Sequence, residues 1–140
     1  MLEIMNSNKA KLYVSDDPVR PHIDYDFRVS ENRKMFSLLN EENRVRAIIC
    51  TSFNPTVPTS ESDLSIPGND VVTFYTVWSY DKGAGREIVF SVRDWVKFNL
   101  PNVKRFVTLS PPTEMARRFH TKNGAIELSN NGDTINFEYT

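Results

Sequence analysis

Val71-Val72-Thr73-Phe74-Tyr75-Thr76-Val77-Trp78-Ser79-Tyr80 runs directly into Asp81-Lys82-Gly83-Ala84-Gly85-Arg86. The first ten residues are almost continuously apolar and aromatic. A strand buried on both faces, central in its sheet, has this pattern. After the glycines a helix is expected over about Arg86 to Asn99. Ile88, Val92, Trp95 and Val96 form its apolar stripe, and Arg86, Arg93, Asp94 and Lys97 face water. Pro101 stops it. A strand that ends in a glycine turn and opens a helix presents free backbone N–H groups at the positive end of the helix dipole. That arrangement suits a phosphate. Gly83 and Gly85 lack the Cβ that would block close approach. Lys82 and Arg86 add charge. The binding set is therefore Lys82, Gly83, Ala84, Gly85 and Arg86. The spacing fits neither the dinucleotide fingerprint nor the P-loop. A sharp turn with no ligand would use the same glycines.

Downstream, Val103–Leu109 reads as a strand. Ser110-Pro111-Pro112-Thr113-Glu114 opens a short helix, with Ser or Thr able to cap it and Pro able to occupy its first turn. Asn123-Gly124 closes that helix. A hairpin ends the chain, with arms Ala125–Ser129 and Thr134–Tyr139 around Asn130-Asn131-Gly132-Asp133. Ile126 and Leu128 are expected to share one face with Ile135, Phe137 and Tyr139.

Upstream, Met35–Leu39 and Arg44–Phe53 form a hairpin around Asn40–Asn43. Val45, Ala47 and Ile49 point one way in the returning arm, and Arg44 and Arg46 the other. Asn54 to Asp70 is a long polar loop with Pro55, Pro58 and Pro67. Its plainer reading is a mobile surface loop. His22–Val29 alternates apolar and polar residues, which predicts a strand. Leu12–Val14 reads as a short strand ended by Asp16-Asp17-Pro18. The fold class is α/β (α+β): a mixed, mostly antiparallel sheet with helices packed on it.

Length and composition bound the function. A chain of 140 residues suits one domain, 1–140, with residues 31–140 as its core and 1–30 as an N-terminal arm. The formal charge of −1 argues against nucleic acid or an anionic membrane as a partner through net charge. Cys50 is the single cysteine. An internal disulfide and a Cys-based zinc site are therefore excluded, and no metal is expected. No apolar run approaches the ~20 residues that span a bilayer. Met1–Met5 is too short and acidic for a secretory signal. A cytoplasmic protein is the default expectation.

The order strand, glycine turn, helix, strand, short helix ending in Asn-Gly, then hairpin resembles the GNAT acyltransferase fold. Two segments sharpen the likeness. Phe106-Val107-Thr108-Leu109-Ser110-Pro111 and Phe119-His120-Thr121-Lys122-Asn123-Gly124-Ala125 are similar to the TLSP and FHxxNGA segments of the malonyl-CoA decarboxylase catalytic domain, which has that fold. Phe74-Tyr75 with Lys82-Gly83, and Asn32–Phe36, resemble further pieces of it. The resemblance spans about residues 31–140. It implies coenzyme A, as acyl-CoA, for a small-molecule partner, with the pyrophosphate at the glycine turn. It also implies Ser110 and His120 as the catalytic pair.

The chain departs from these relatives in several places. Tyr80 stands where the usual turn has Arg or Gln. Ile48 stands where the decarboxylase has a Glu near its active site. The decarboxylase's long insertion between serine and histidine segments is missing, as is its helical N-terminal domain. The two helices that usually follow the first GNAT strand are not visible in residues 1–34.

Loss of CO₂ from a malonyl thioester leaves an enolate, whose oxygen needs a donor and whose carbon needs a proton. An imidazole near neutrality can serve either need. The same fold also supports acyl transfer to an amine, or CoA binding without turnover. Taken alone, Ser110 reads as a helix cap and His120 as a structural residue. His22 is assigned no role. Lys104, Arg105, Arg117 and Arg118 read as surface charges, of which one or two could meet the CoA 3′-phosphate.

Overall fold

A computed structural model describes residues 1–140. Its strands are β1 (Leu2–Ile4), β2 (Arg33–Leu39), β3 (Val45–Asn54), β4 (Val71–Ser79), β5 (Arg105–Thr108), β6 (Ile126–Asn130) and β7 (Ile135–Tyr139). Its helices are α1 (Ser7–Lys11), α2 (Tyr25–Val29), α3 (Ala84–Asn99) and α4 (Glu114–Lys122). The seven strands form one sheet in the order β1-β2-β3-β4-β5-β7-β6. Every neighbouring pair is antiparallel except β4 and β5, which run parallel. The apolar β4 is therefore the central strand, as its double-sided burial requires. No helix is long and apolar enough to cross a membrane.

The sheet is covered on both faces. On one, α3 lays Ile88, Val89, Val92 and Val96 over Phe36, Ile49, Val72, Phe74 and Phe137. On the other, the N-terminal segment covers Met35, Ile48, Cys50, Tyr75 and Trp78 with Met5, Ala10, Tyr13, Ile23 and Phe27. The side chain of β4 changes face at each step until a bulge intervenes. Cys50 pairs with Thr76 and Thr51 with Phe74, so Tyr75 has no partner on β3. A bulge of this kind bends its strand and raises the local twist.

The N-terminal segment corrects the sequence reading. Residues 12–14 and 22–29 are not strands. The first stretch follows α1 and runs into a 3-10 turn at Val14–Asp16, and the second contains α2. Two short helices do follow β1. Alternation misled at 22–29 because Asp24 caps a helix there, accepting from the Asp26 amide at 3.2 Å. It misled also because Arg28, read as outward, is fully buried.

The Asn54–Asp70 segment is not a free surface loop. It holds a 3-10 turn, Glu61–Ser65, whose Leu64 is fully buried. The Asn54 side-chain amide donates to the carbonyls of Asp63, Leu64 and Ile66 at 3.3, 3.3 and 3.0 Å. From β7, Asn136 donates to the Pro58 carbonyl at 2.8 Å.

The last hairpin forms, but its expected pairing does not. Ile126 lies opposite Glu138, and a register shift between Glu127 and Ser129 leaves Leu128 without a partner. Ile126 and Leu128 are exposed on the edge strand, whereas Ile135, Phe137 and Tyr139 are buried. The bulge thus moves the β6 apolar pair off the face that α3 covers.

Candidate functional site

The site begins where β4 and β5 part. Val71 to Phe74 pair with Arg105 to Thr108, and the Leu109 amide donates to the Phe74 carbonyl at 3.0 Å. Beyond that rung β4 continues to Ser79 with no strand on its β5 side. β5 meanwhile turns toward β7, where Ser110 and Ile135 exchange backbone hydrogen bonds of 2.8 and 2.9 Å. The divergence leaves a cleft in the middle of the sheet.

The glycine turn stands at the far end of β4. Helix α3 starts at Ala84, two residues before the sequence reading. Gly83 is its N-cap, in the left-handed region at φ 82°, with no side-chain cap. A Cβ built on Gly83 would meet nothing within 4 Å, so the turn is open on that side. Ala84 donates to Asp81 and Glu87 to Gly83, but the amides of Gly83, Gly85 and Arg86 meet no backbone acceptor. These are donors of the type that bind an anion. Lys82 is exposed and Ala84 and Gly85 are buried. Arg46 braces the turn from β3 through Asp81 at 3.1 Å and Glu87 at 3.1 Å. Arg86 does not project freely. Its guanidinium donates to Asn123 Oδ1 at 3.1 Å and stacks on the Phe90 ring.

Helix α4 meets this turn from the other side of the cleft. Phe119 packs against Gly85, at 3.4 Å from the position a Cβ would take. Its neighbour His120 is 6% exposed and sits among Phe119, Phe137 and Tyr139. Its Nδ1 lies 2.7 Å from the Tyr139 hydroxyl. Burial pulls its pKa down to about 4, so the ring is neutral at pH 7. Burial also pushes the Tyr139 phenol up to about 12. Asn123 is buried too, and its Nδ2 has no hydrogen-bond partner.

Ser110 is buried at the root of the cleft. Its hydroxyl lies 2.8 Å from Thr108 Oγ1, which accepts from the Phe137 amide. Ser110 does not cap α4; Thr113 does, accepting from Ala116 at 3.2 Å. Ser110 and His120 both abut β7, but no hydrogen bond joins them. On the opposite side of the last β4–β5 rung, the guanidinium of Arg20 donates to the Tyr75 carbonyl.

Three residues at the site escaped the sequence reading. Tyr139 read only as an apolar hairpin position, Asn123 only as a helix stop, and Arg20 fell in the arm with the least periodicity. The FHxxNGA segment did carry Asn123. Nothing in the sequence pattern marks Arg20. Of the surface cations, Arg105 forms a two-pronged pair with Glu138, both bonds at 2.8 Å, and Arg117 pairs with Glu127. Arg118 lies 3.7 Å from Glu114. Lys104 alone of the four has no ion pair. His22 lies 2.9 Å from Glu61 on the surface. No group of His, Cys, Asp and Glu side chains is arranged to hold a metal ion.

No protein-family model matches the chain, and no curated protein matches it in sequence. Solved structures do match. Malonyl-CoA decarboxylase from Rhodopseudomonas palustris superposes with a TM-score of 0.75 at 16% identity, over 99% of this chain and 59% of that one. The enzyme of that name from Agrobacterium vitis gives 0.69 at 18% identity, over 92% and 38%. The Campylobacter jejuni N-acetyltransferase PseH gives 0.66 at 12% identity, over 99% and 96%. The chain has the GNAT fold. It spans less than two thirds of either decarboxylase's length. In this GNAT fold β4 parts from β5 after Phe74, the Gly83 turn follows the end of β4, and Phe119 of α4 packs against Gly85.

Proposed function

We propose that this chain binds an acyl-CoA across the cleft and removes CO₂ from a malonyl-type thioester. The turn Lys82–Arg86 takes the pyrophosphate, and the thioester lies toward His120 and Ser110. The observation that supports this most is the meeting of two features at Gly85. Unpaired amides open one side of it. On the other lies Phe119, which carries the neutral, half-partnered His120 next in sequence.

The chemistry follows from the protonation state. When the Tyr139 hydroxyl donates to Nδ1, the proton of the neutral ring resides on Nε2, which makes no hydrogen bond within the chain. A neutral N–H aimed at the thioester oxygen stabilises the charge that develops there and remains a neutral donor. The bond between the α-carbon and the carboxylate breaks, and its electron pair passes into the enolate as CO₂ departs. A proton from solvent water then adds to the α-carbon, and acetyl-CoA results, with hydroxide left to the bulk. Ser110 orients the carboxylate before it leaves.

A second reading, acyl transfer to an amine, is favoured by one observation. His120 and Ser110 have separate partners, and His120 with Tyr139 would equally protonate a departing CoA thiolate.

The test has two stages. CoA should raise the melting temperature of the wild-type protein. CO₂ should then be released from malonyl-CoA and its release abolished in His120→Ala, with the CoA shift retained. Acetyl transfer to amines without CO₂ release would select the second reading. No thermal response to CoA, acetyl-CoA or malonyl-CoA would end both.

A further inference from the structure

We propose that Arg20 is the anchor for a carboxylate on the acyl group, so that the cleft selects acidic acyl thioesters over neutral ones. The proposal rests on reading this cleft as an acyl-CoA site. It adds a specificity residue from the N-terminal segment, outside the stretch where any motif lies.

The place of Arg20 is set by the last rung between β4 and β5. The Leu109 amide closes that rung on the Phe74 carbonyl. The next residue on β5's side is Ser110, and the next on β4 is the bulged Tyr75, whose carbonyl accepts from Arg20 Nη1. Tyr75 and Ser110 are thus the residues that follow the last rung on its two sides, and the guanidinium is held at the first of them. An acyl chain reaching the bottom of the cleft would end between them. Arg20 and Pro111, the residue after Ser110, also line one polar cavity of about 570 Å³.

The guanidinium is held but not exhausted. Its side chain is 4% exposed, Nε donates to Glu61 at 3.1 Å, and Nη1 is taken by Tyr75. Nη2 has no partner. Its backbone is fixed as well, since the Asp17 carboxylate accepts from the Arg20 amide at 2.9 Å. A cation buried this deeply usually has every donor satisfied. Nη2 is not sealed from solvent, so a ligand can reach it.

The nearby carboxylates do not compete for it. Asp17 is held by Arg28 at 2.7 Å and by Thr76. Glu61 divides its oxygens between Arg20 Nε and His22. Asp133 lines the same cavity from the β6–β7 turn but is exposed to solvent, where water screens it. With Nε and Nη1 engaged, Nη2 is left to offer a charge-assisted hydrogen bond to a carboxylate.

Calorimetric titration of the whole chain with malonyl-CoA and acetyl-CoA tests the proposal, with the Arg20 wild type and the Arg20 variants all carrying His120→Ala so that malonyl-CoA is not consumed during the titration. Wild type should bind malonyl-CoA about tenfold or more tightly than acetyl-CoA, the scale of one hydrogen bond to a charged group. Arg20→Gln should abolish that preference while leaving the acetyl-CoA affinity within about threefold. Arg20→Lys, which keeps the charge but not the fork, should restore part of it. Equal affinity of the wild type for both esters overturns the anchor and leaves the acyl-CoA reading standing. Equal weakening of both esters in Arg20→Gln also overturns it, because Arg20 would then only brace β4. Failure of the wild type to bind either ester overturns the acyl-CoA reading and the anchor with it. Should Arg20→Gln not fold, the wild-type comparison and Arg20→Lys decide.

Discussion

His120 on α4 and Tyr139 on β7 are joined by a 2.7 Å hydrogen bond between Nδ1 and the phenol. That bond ties the short helix to the strand beneath it. It also fixes which ring nitrogen is left for the cleft. Because burial lowers the ring's pKa to about 4, the unfolded chain binds a proton that the folded chain refuses between that value and about 6.5. The sign follows: the unfolded state holds more protons in this window, so stability falls as pH drops from about 6.5 toward 4 and then levels off. Urea unfolding at pH 7 and pH 5 should show a loss of about 2 kcal/mol attributable to His120. The same pair of measurements on His120→Gln should lack that part. An identical pH dependence in both proteins would contradict the burial argument.

Tyr139→Phe removes the phenol and keeps the ring contacts with Phe74, Phe90 and His120. Nδ1 is then a buried nitrogen with no partner, at a cost of about 1–3 kcal/mol. The tautomer of His120 is no longer set. Turnover should fall at least about tenfold while the melting-temperature response to CoA is preserved. Unchanged turnover would show that the phenol serves packing alone.

Much of this arrangement was legible in residues 71–140. The β4 run, the glycines and the α3 stripe each have one period and one outcome, so local pattern and tertiary environment agree. The Asn-Gly stop placed the end of α4 for the same reason. The N-terminal arm misled because its short elements are governed by a buried charge. Arg28 lies inside, where period-two alternation assigns it outside, because the Asp17 carboxylate and the Arg20 and Ile23 carbonyls meet its guanidinium there. The β6 pairing misled because a bulge leaves no mark in composition. The long 54–70 segment reads as polar and loose, yet its carbonyls accept from Asn54 and Asn136 side chains that only the fold brings near.

Two glycines should respond oppositely to alanine. At Gly83 a Cβ has open space, and the cost is the left-handed backbone at φ 82°, about 1 kcal/mol. Gly83→Ala should therefore fold well but lose much of its CoA-induced thermal shift, since the methyl enters the space left for a phosphate. At Gly68 a Cβ would lie 2.2 Å from the backbone nitrogen of Pro55. Gly68→Ala must move the chain and should cost about 3 kcal/mol, with CoA affinity unchanged in the protein that remains folded. Chemical denaturation with and without CoA measures both. Equal stability losses in the two variants would contradict the placement of the turn.

Asp17 and Arg28 form an ion pair in which both side chains are fully buried, with oxygen and nitrogen 2.7 Å apart. Burial alone would raise the Asp17 pKa, but the Arg20 amide, the Arg28 guanidinium, the Val19 amide and the Thr76 hydroxyl together hold it below the usual range. Arg28 in turn donates to the carbonyls of Arg20 and Ile23. The pair is therefore the clasp that holds the arm carrying Arg20 against β4. Removing one charge leaves the other buried and uncompensated, so Asp17→Asn or Arg28→Met should cost about 3–5 kcal/mol. The double replacement Asp17→Asn with Arg28→Met should cost less than the sum of the two single changes, because neither charge is then stranded. A double-mutant cycle by urea unfolding measures the coupling. Strict additivity would mean that the two side chains act separately and that backbone hydrogen bonds alone hold the arm.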